Sequence, residues 1–168
     1  MNVLITGGAG YIGSELAQYL LDDGHTVIAY DNLMYDPTSL LRYTNNPNFS
    51  FVKADVRDLD TLAKHTAKAD VIIPLAALVG FPLCDKDVRG AHEINHEVNA
   101  WIAKNKSADQ RVIYPCTNSG YGVSLNGEVM TEESPLNPIS LYGRTKVAAE
   151  NEYKNVENHV TFRLATVF

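Results

Sequence analysis

The chain opens with a β-branched run, Val3–Thr6, and continues directly into Thr6-Gly7-Gly8-Ala9-Gly10-Tyr11-Ile12-Gly13 and then a helical pattern. No other stretch restricts the available folds as much. Gly8, Gly10 and Gly13 satisfy G-x-G-x-x-G, and Gly7, Gly10 and Gly13 satisfy G-x-x-G-x-x-G. Glycine is needed where a turn is tight and the backbone must lie against a pyrophosphate. The helix entered at Tyr11 and Ile12 then aims its free N–H groups and positive end at the phosphates. Alone the pattern is weak evidence; a strand before and a helix after are the context it demands. An acid is expected about 20 residues on, at the end of the second strand, and Asp31 stands there. Its carboxylate suits both adenosine ribose hydroxyls and repels a 2′-phosphate. No Arg adjoins it, so the expected cofactor is NAD rather than NADP.

Further along, short β-branched runs alternate with longer helical patterns. Strands are predicted at Val3–Thr6, Thr26–Tyr30, Phe49–Lys53, Val71–Ala77, Arg111–Cys116 and Val160–Phe168. Helices are predicted at Ile12–Asp23, with Ile12, Leu16, Tyr19 and Leu20 on one face and Gly24 closing it, and at Leu59–Thr66, Val88–Asn105 and Leu141–Val156. A short helix is expected around Ser39–Tyr43, and Ser140 is placed to cap the last helix. Thr117–Pro138 reads as irregular. Six strands joined by helical crossovers predict an α/β fold, a Rossmann-type doubly wound parallel sheet. A final strand with no element after it leaves one face short of cover. The expectation is therefore a single NAD-binding catalytic domain over residues 1–168, cut after the sixth strand and lacking a C-terminal substrate domain.

Composition narrows the functional classes. With 168 residues, 45% apolar, the chain can bury one good core. The net charge of -6 and the scatter of its 14 basic residues argue against a nucleic-acid surface. No apolar run approaches the roughly 20 residues needed to span a bilayer, and the first residues turn Gly-rich too soon for a signal peptide. Cys84 and Cys116 make no disulfide framework and read as reduced thiols beside the core. The expected location is the cytoplasm.

Chemistry enters with Ser140-Leu141-Tyr142-Gly143-Arg144-Thr145-Lys146, which sets Tyr142 and Lys146 four residues apart on one helix face. A free Tyr is a poor base at pH 7. An ammonium about 5 Å away contributes roughly 3 kcal/mol at an effective dielectric near 20, or about two pKa units. The pair is thus expected to hold a phenolate near neutrality, ready to take a proton from a hydroxyl as hydride leaves its carbon. Y-x-x-x-K alone is common; downstream of this phosphate loop it points to catalysis.

Taken together, these residues resemble the extended short-chain dehydrogenase/reductases, specifically the nucleotide-sugar epimerases and dehydratases, over essentially the whole chain. Residues 6–13 look like their phosphate loop, and Asp31-Asn32 like their ribose-binding pair. Asp55-Val56 resembles their adenine-contacting pair, and Leu75-Ala76-Ala77 their cofactor-channel segment. Asn95 falls at their helix asparagine, Thr117 at their catalytic Ser/Thr, and Tyr142 and Lys146 at their Tyr-Lys pair.

The resemblance implies NAD and a nucleotide-sugar substrate. Tyr142 would deprotonate a sugar hydroxyl, Thr117 would hydrogen-bond the same oxygen, and Lys146 would bind the nicotinamide ribose while lowering the Tyr142 pKa. Dehydratases and decarboxylases of this kind carry an acid two residues after the Thr. This chain reads Thr117-Asn118-Ser119-Gly120-Tyr121-Gly122, which favours epimerisation over elimination. Other nucleotide-sugar oxidoreductase chemistry, and a non-catalytic NAD-binding module, stay open. Gly120 departs from the bulkier residue expected there. A homodimer paired through the helix carrying Tyr142 is a further expectation.

Three other signals carry less. His92-Glu93-Ile94-Asn95-His96 matches H-E-x-x-H, a zinc motif, but no third ligand is evident and no metal is expected. Ile94, Val98, Trp101 and Ile102 form an apolar helix stripe read as core packing. Phe81-Pro82-Leu83-Cys84 reads either as a substrate mouth or as a packed hydrophobic loop.

Overall fold

A computed structural model describes residues 1–123 and 129–166. Residues 124–128, inside the predicted irregular segment, and 167–168, at the end of the predicted sixth strand, lie outside the described residues. The strands are β1 (Asn2–Thr6), β2 (Thr26–Asp31), β3 (Phe49–Lys53), β4 (Val71–Pro74), β5 (Arg111–Thr117) and β6 (His159–Leu164). They form one sheet in the order β3-β2-β1-β4-β5-β6, and every pairing is parallel. The strand order reverses between β1 and β4, where an open α/β sheet leaves a crevice at the strands' carboxyl ends.

The helices are α1 (Tyr11–Asp22), α2 (Leu59–Thr66), α3 (Phe81–Lys86), α4 (Val88–His92), α5 (Val98–Asn105) and α6 (Leu141–Tyr153). A π-helical turn, Glu93–Glu97, joins α4 to α5. Alternate strand residues feed two core clusters, because successive side chains point to opposite sheet faces. Val3, Ile5, Val27, Ala29 and Ile73 pack with Ala17 and Leu21 of α1 and with Leu40 and Tyr43. Leu4, Ile28, Ile72, Val112 and Tyr114 pack with Leu62, Ile94, Ile102, Ala149 and Tyr153. Two buried faces explain the near-continuous apolar runs in the central strands.

Several expectations are corrected in detail. Helix α1 buries Gly13, Ser14, Ala17 and Leu21, whereas Tyr19 is exposed and Leu16 and Leu20 only flank the core. The close approach of the glycine loop turns the small-residue face inward. Strand β4 stops at Pro74: its pairing with β5 ends at Ile72 and its pairing with β1 at Pro74. The short helix after β2 is a single 3-10 turn, Leu41–Tyr43. Phe81–Lys86 is a helix, α3, where a loop or mouth was expected; Pro82 sits in its first turn, where a missing N–H costs nothing.

Caps follow the sequence. The Ser140 hydroxyl accepts the Gly143 N–H at 3.0 Å, Asp58 accepts the Thr61 N–H at 3.1 Å, and Gly24 takes φ +78° beyond α1. In β6, Val160 and Phe162 share a face with Ile113 and Pro115, and both are about half exposed. That is the thinly covered face the strand pattern foreshadows.

Candidate active site

A cavity of about 1010 Å³ runs along the carboxyl edge of the sheet, from the glycine loop and the end of β2 to the N-terminal half of α6. At one end are Gly7, Gly10, Tyr11, Ile12 and Gly13. Gly7 has φ +71°, and a Cβ there would lie 2.6 Å from the Ala76 nitrogen; one on Gly13 would lie 2.5 Å from the Gly7 carbonyl oxygen. Only glycine permits loop, strand-end and helix to meet this closely. No side chain caps α1, so its first N–H groups face the cavity free. A cradle of bare amides at a helix N-terminus fits a pyrophosphate.

Asp31 and Asn32 line the same end. The Asp31 carboxylate also braces the loop, accepting the Ala9 N–H at 3.0 Å and the Leu33 N–H at 2.7 Å. Asp55 and Val56 follow from the end of β3. Hydrogen bonds from Arg57 hold the Asp55 carboxyl down at about 2, against the opposing effect of burial. Leu75, Ala76 and Ala77 form the middle wall.

At the far end, β5 delivers Thr117 and α6 delivers Tyr142 and Lys146 to one wall. Lys146 is only 4% exposed, and its ammonium lies 4.2 Å from the centroid of the Tyr114 ring. Desolvation lowers the Lys146 pKa to about 8. Desolvation likewise raises the Tyr142 phenol above its ordinary value, with the Cys116 thiol adding to the rise and Thr117 opposing it. This corrects the expectation from spacing: burial, rather than the Lys146 charge, dominates the phenol here. The Thr117 hydroxyl accepts the Ser119 N–H at 3.2 Å, and a Cβ on Gly120 would sit 2.9 Å from a Val147 methyl. Glycine at 120 therefore lets the Thr117 turn lie directly on α6.

Every site residue named from the sequence lines this cavity except Asn95. Asn95 is wholly buried in the π turn behind the wall. Its amide grips the peptide of Leu78 from both sides, accepting the N–H at 2.8 Å and donating to the carbonyl at 3.0 Å. It also donates to Thr145 of α6 at 3.3 Å.

Leu83 reaches the cavity from α3, while Cys84 is buried and donates its thiol hydrogen to the Leu78 carbonyl. Both cysteines are free and buried. The motif at 92–96 separates: His96 pairs with Glu152 at 2.9 Å, and Glu93 turns to Arg57 and Arg89. Sequence reasoning missed Tyr114, whose strand position reads as plain core. It also missed Arg163, which binds Glu150 at 2.6 Å, the Tyr121 hydroxyl at 3.1 Å and the Glu132 carbonyl at 2.9 Å.

Comparison with known proteins matches the family model described as "NAD dependent epimerase/dehydratase family" over residues 3–168. The chain belongs to the NAD-dependent epimerase/dehydratase family. NAD is the cofactor of that family. Among its relatives is the low-salt glycan biosynthesis protein Agl12 of Haloferax volcanii, 34% identical in an alignment that covers 89% of this chain and 50% of that one. The dTDP-glucose 4,6-dehydratase of Haemophilus influenzae is 32% identical, covering 90% of this chain and 50% of its own. UDP-glucuronic acid 4-epimerase from Bacillus cereus, in complex with NAD, superposes with a TM-score of 0.87 at 29% identity, over 100% of this chain and 58% of that one. The chain thus spans about half the length of the curated relatives it matches. Among the described residues, no helix is long and apolar enough to cross a membrane.

Proposed function

We propose that this chain is the NAD-binding, catalytic half of a nucleotide-sugar epimerase working through a transient keto sugar. The observation that carries the reading is convergence: Thr117, Tyr142 and Lys146 share one wall of the cavity that begins at the glycine loop. In this reading the bare N–H groups of α1 hold the pyrophosphate, and Asp31 with Asn32 holds the adenosine ribose. Asp55 and Val56 flank the adenine, and Leu75–Ala77 guide the dinucleotide toward α6. Asn95 acts from behind, fixing Leu78. Bound NAD supplies a hydride acceptor and donor. The positive charge of an oxidised nicotinamide beside Tyr142 would offset the burial that raises its phenol, so that Tyr142 as phenolate takes the proton from the sugar hydroxyl. Thr117 would hydrogen-bond that oxygen and Lys146 would bind the nicotinamide ribose.

Epimerisation is favoured over elimination by where the cavity keeps its acids. Among the described residues lining it, the carboxylates are Asp31, Asp36 and Asp55, all at the β2–β3 end. Asn118 and Ser119 follow Thr117, so among the described residues the catalytic end offers no carboxyl for a leaving hydroxyl. Two copies paired through the outer face of α6 complete the reading, and sedimentation showing only monomer would remove that part.

Calorimetry with NAD, followed by UDP-, GDP- and CDP-sugars on the NAD-loaded chain, tests the assignment. The expected result is NAD binding, a sugar-dependent second isotherm, and an epimeric sugar by NMR with no net reduction of the cofactor. A dehydrated sugar would replace epimerisation with elimination. NAD binding with no response to any sugar would make the chain, by itself, a dinucleotide-binding module.

A further inference from the structure

Lys146 brings a charged group into an almost closed place, and among the described residues its ammonium makes no hydrogen bond. What it touches is an aromatic face. The Tyr114 ring centroid lies 4.2 Å from Nζ, within the range at which a ring's negative face attracts a cation. The ring is wholly buried and held from two sides. Its hydroxyl donates to the Lys146 carbonyl at 3.2 Å, and the Tyr153 ring backs it at 5.2 Å between centroids. Tyr153 is in turn tied to α5, donating its hydroxyl hydrogen to Asn99 at 3.0 Å. Tyr114 stands three residues before Thr117 on β5, so the strand that delivers one catalytic group also delivers the platform for another.

We propose that Tyr114 is the positioning residue for Lys146: its ring face is the seat that keeps the buried ammonium charged and aimed along the cavity wall. The titratable groups around that ammonium are few. On β5 the Cys116 thiol, pushed up to about 12 by burial, stays neutral where the lysine titrates. One turn to either side on α6 stand Tyr142, a neutral phenol, and Glu150, whose carboxylate is committed to Arg163 of β6. The ring is therefore the main group left to favour the charged lysine against burial, which otherwise brings its pKa down to about 8. The consequence for cofactor handling rests on the epimerase reading; the seat itself does not.

The test is a ¹³C NMR titration of ε-labelled lysines in the full chain, with the Lys146 signal assigned by its loss in Lys146→Met. Tyr114→Phe keeps the face and loses only the hydroxyl, so the Lys146 midpoint is expected to stay put. Tyr114→Leu removes the face, and the midpoint is expected to fall by about one pH unit, a tenfold change in the charged-to-neutral ratio. Should the Leu variant not fold, fluorinated phenylalanines incorporated at position 114 keep the shape while weakening the face stepwise, and the midpoint should fall with each fluorine. A midpoint that ignores the fluorines overturns the proposal, as does an equal fall in the Phe and Leu variants. Adding NAD separates the two layers. If wild type and variants alike fail to bind NAD while the midpoints still move, the seat stands and the cofactor reading falls.

Discussion

Lys146 sets a charge at the cavity wall with only 4% of the residue exposed. An unfolded chain holds that proton to about 10.5, the folded one only to about 8. Between those values the unfolded state binds more protons, so this group makes stability rise with pH across the window and costs stability below it. The gap corresponds to roughly 3 kcal/mol. Lys146→Met is thus expected to raise the unfolding free energy at pH 7 by up to roughly that amount in urea titrations, with the advantage shrinking from pH 8 to 10. A destabilised variant at pH 7 would show the charge is better satisfied than its contacts indicate. In the proposed epimerase reading, Tyr142→Phe removes the acid–base group without touching the pyrophosphate cradle. In a complete enzyme carrying that activity it should lower turnover by about 10²–10⁴-fold while leaving NAD affinity nearly unchanged by calorimetry. Lost NAD binding would instead place Tyr142 in the cofactor's seat.

Helix α6 gathers a stripe of Tyr142, Lys146 and Glu150, each one turn beyond the last. Its far end is fastened by the Glu150–Arg163 pair, whose side chains are only 5% and 14% exposed. Burial works to raise the Glu150 carboxyl, and Arg163, the Cys116 thiol and Lys154 together outweigh it, so the net shift is downward. A pair this enclosed differs from a surface bridge, because removing one partner strands the other. Glu150→Leu or Arg163→Leu alone is expected to cost about 3–5 kcal/mol, and the double replacement clearly less than the sum. A double-mutant cycle by denaturant unfolding measures this; simple additivity would show the two act independently. Gly120 is the second fastening. Gly120→Val should cost about 1–3 kcal/mol in the same assay, because its side chain must displace Val147 from the Thr117 turn.

For the molecule as a whole, the cavity exists because the sheet's strand order reverses at β1 and β4 and the flanking loops splay apart. A ligand confined to the folded state stabilises it by mass action. NAD at 100 times its dissociation constant should therefore add about 2.7 kcal/mol, visible as a raised melting temperature. NADP at equal concentration should add less, because in the proposed reading the Asp31 carboxylate, anchored by the Ala9 and Leu33 amides, would hold the adenosine ribose and repel a 2′-phosphate. An equal or larger shift with NADP would overturn the cofactor assignment.

Read from the residues alone, the glycine loop, the alternating elements, Asp31, the Ser140 cap and the Tyr142–Lys146 spacing already specified a parallel doubly wound sheet and its dinucleotide edge. Each depends on local periodicity or short spacing, which neighbouring residues carry by themselves. The helix at Phe81–Lys86, the π turn at Glu93–Glu97, the early end of β4 and the buried place of Asn95 were not legible. They arise where segments far apart in the chain compete for the same space and hydrogen bonds. The sequence could set Lys146 one turn from Tyr142. Only packing decided that the ammonium would settle on the Tyr114 ring and that burial would govern both groups, since desolvation depends on everything that surrounds a side chain.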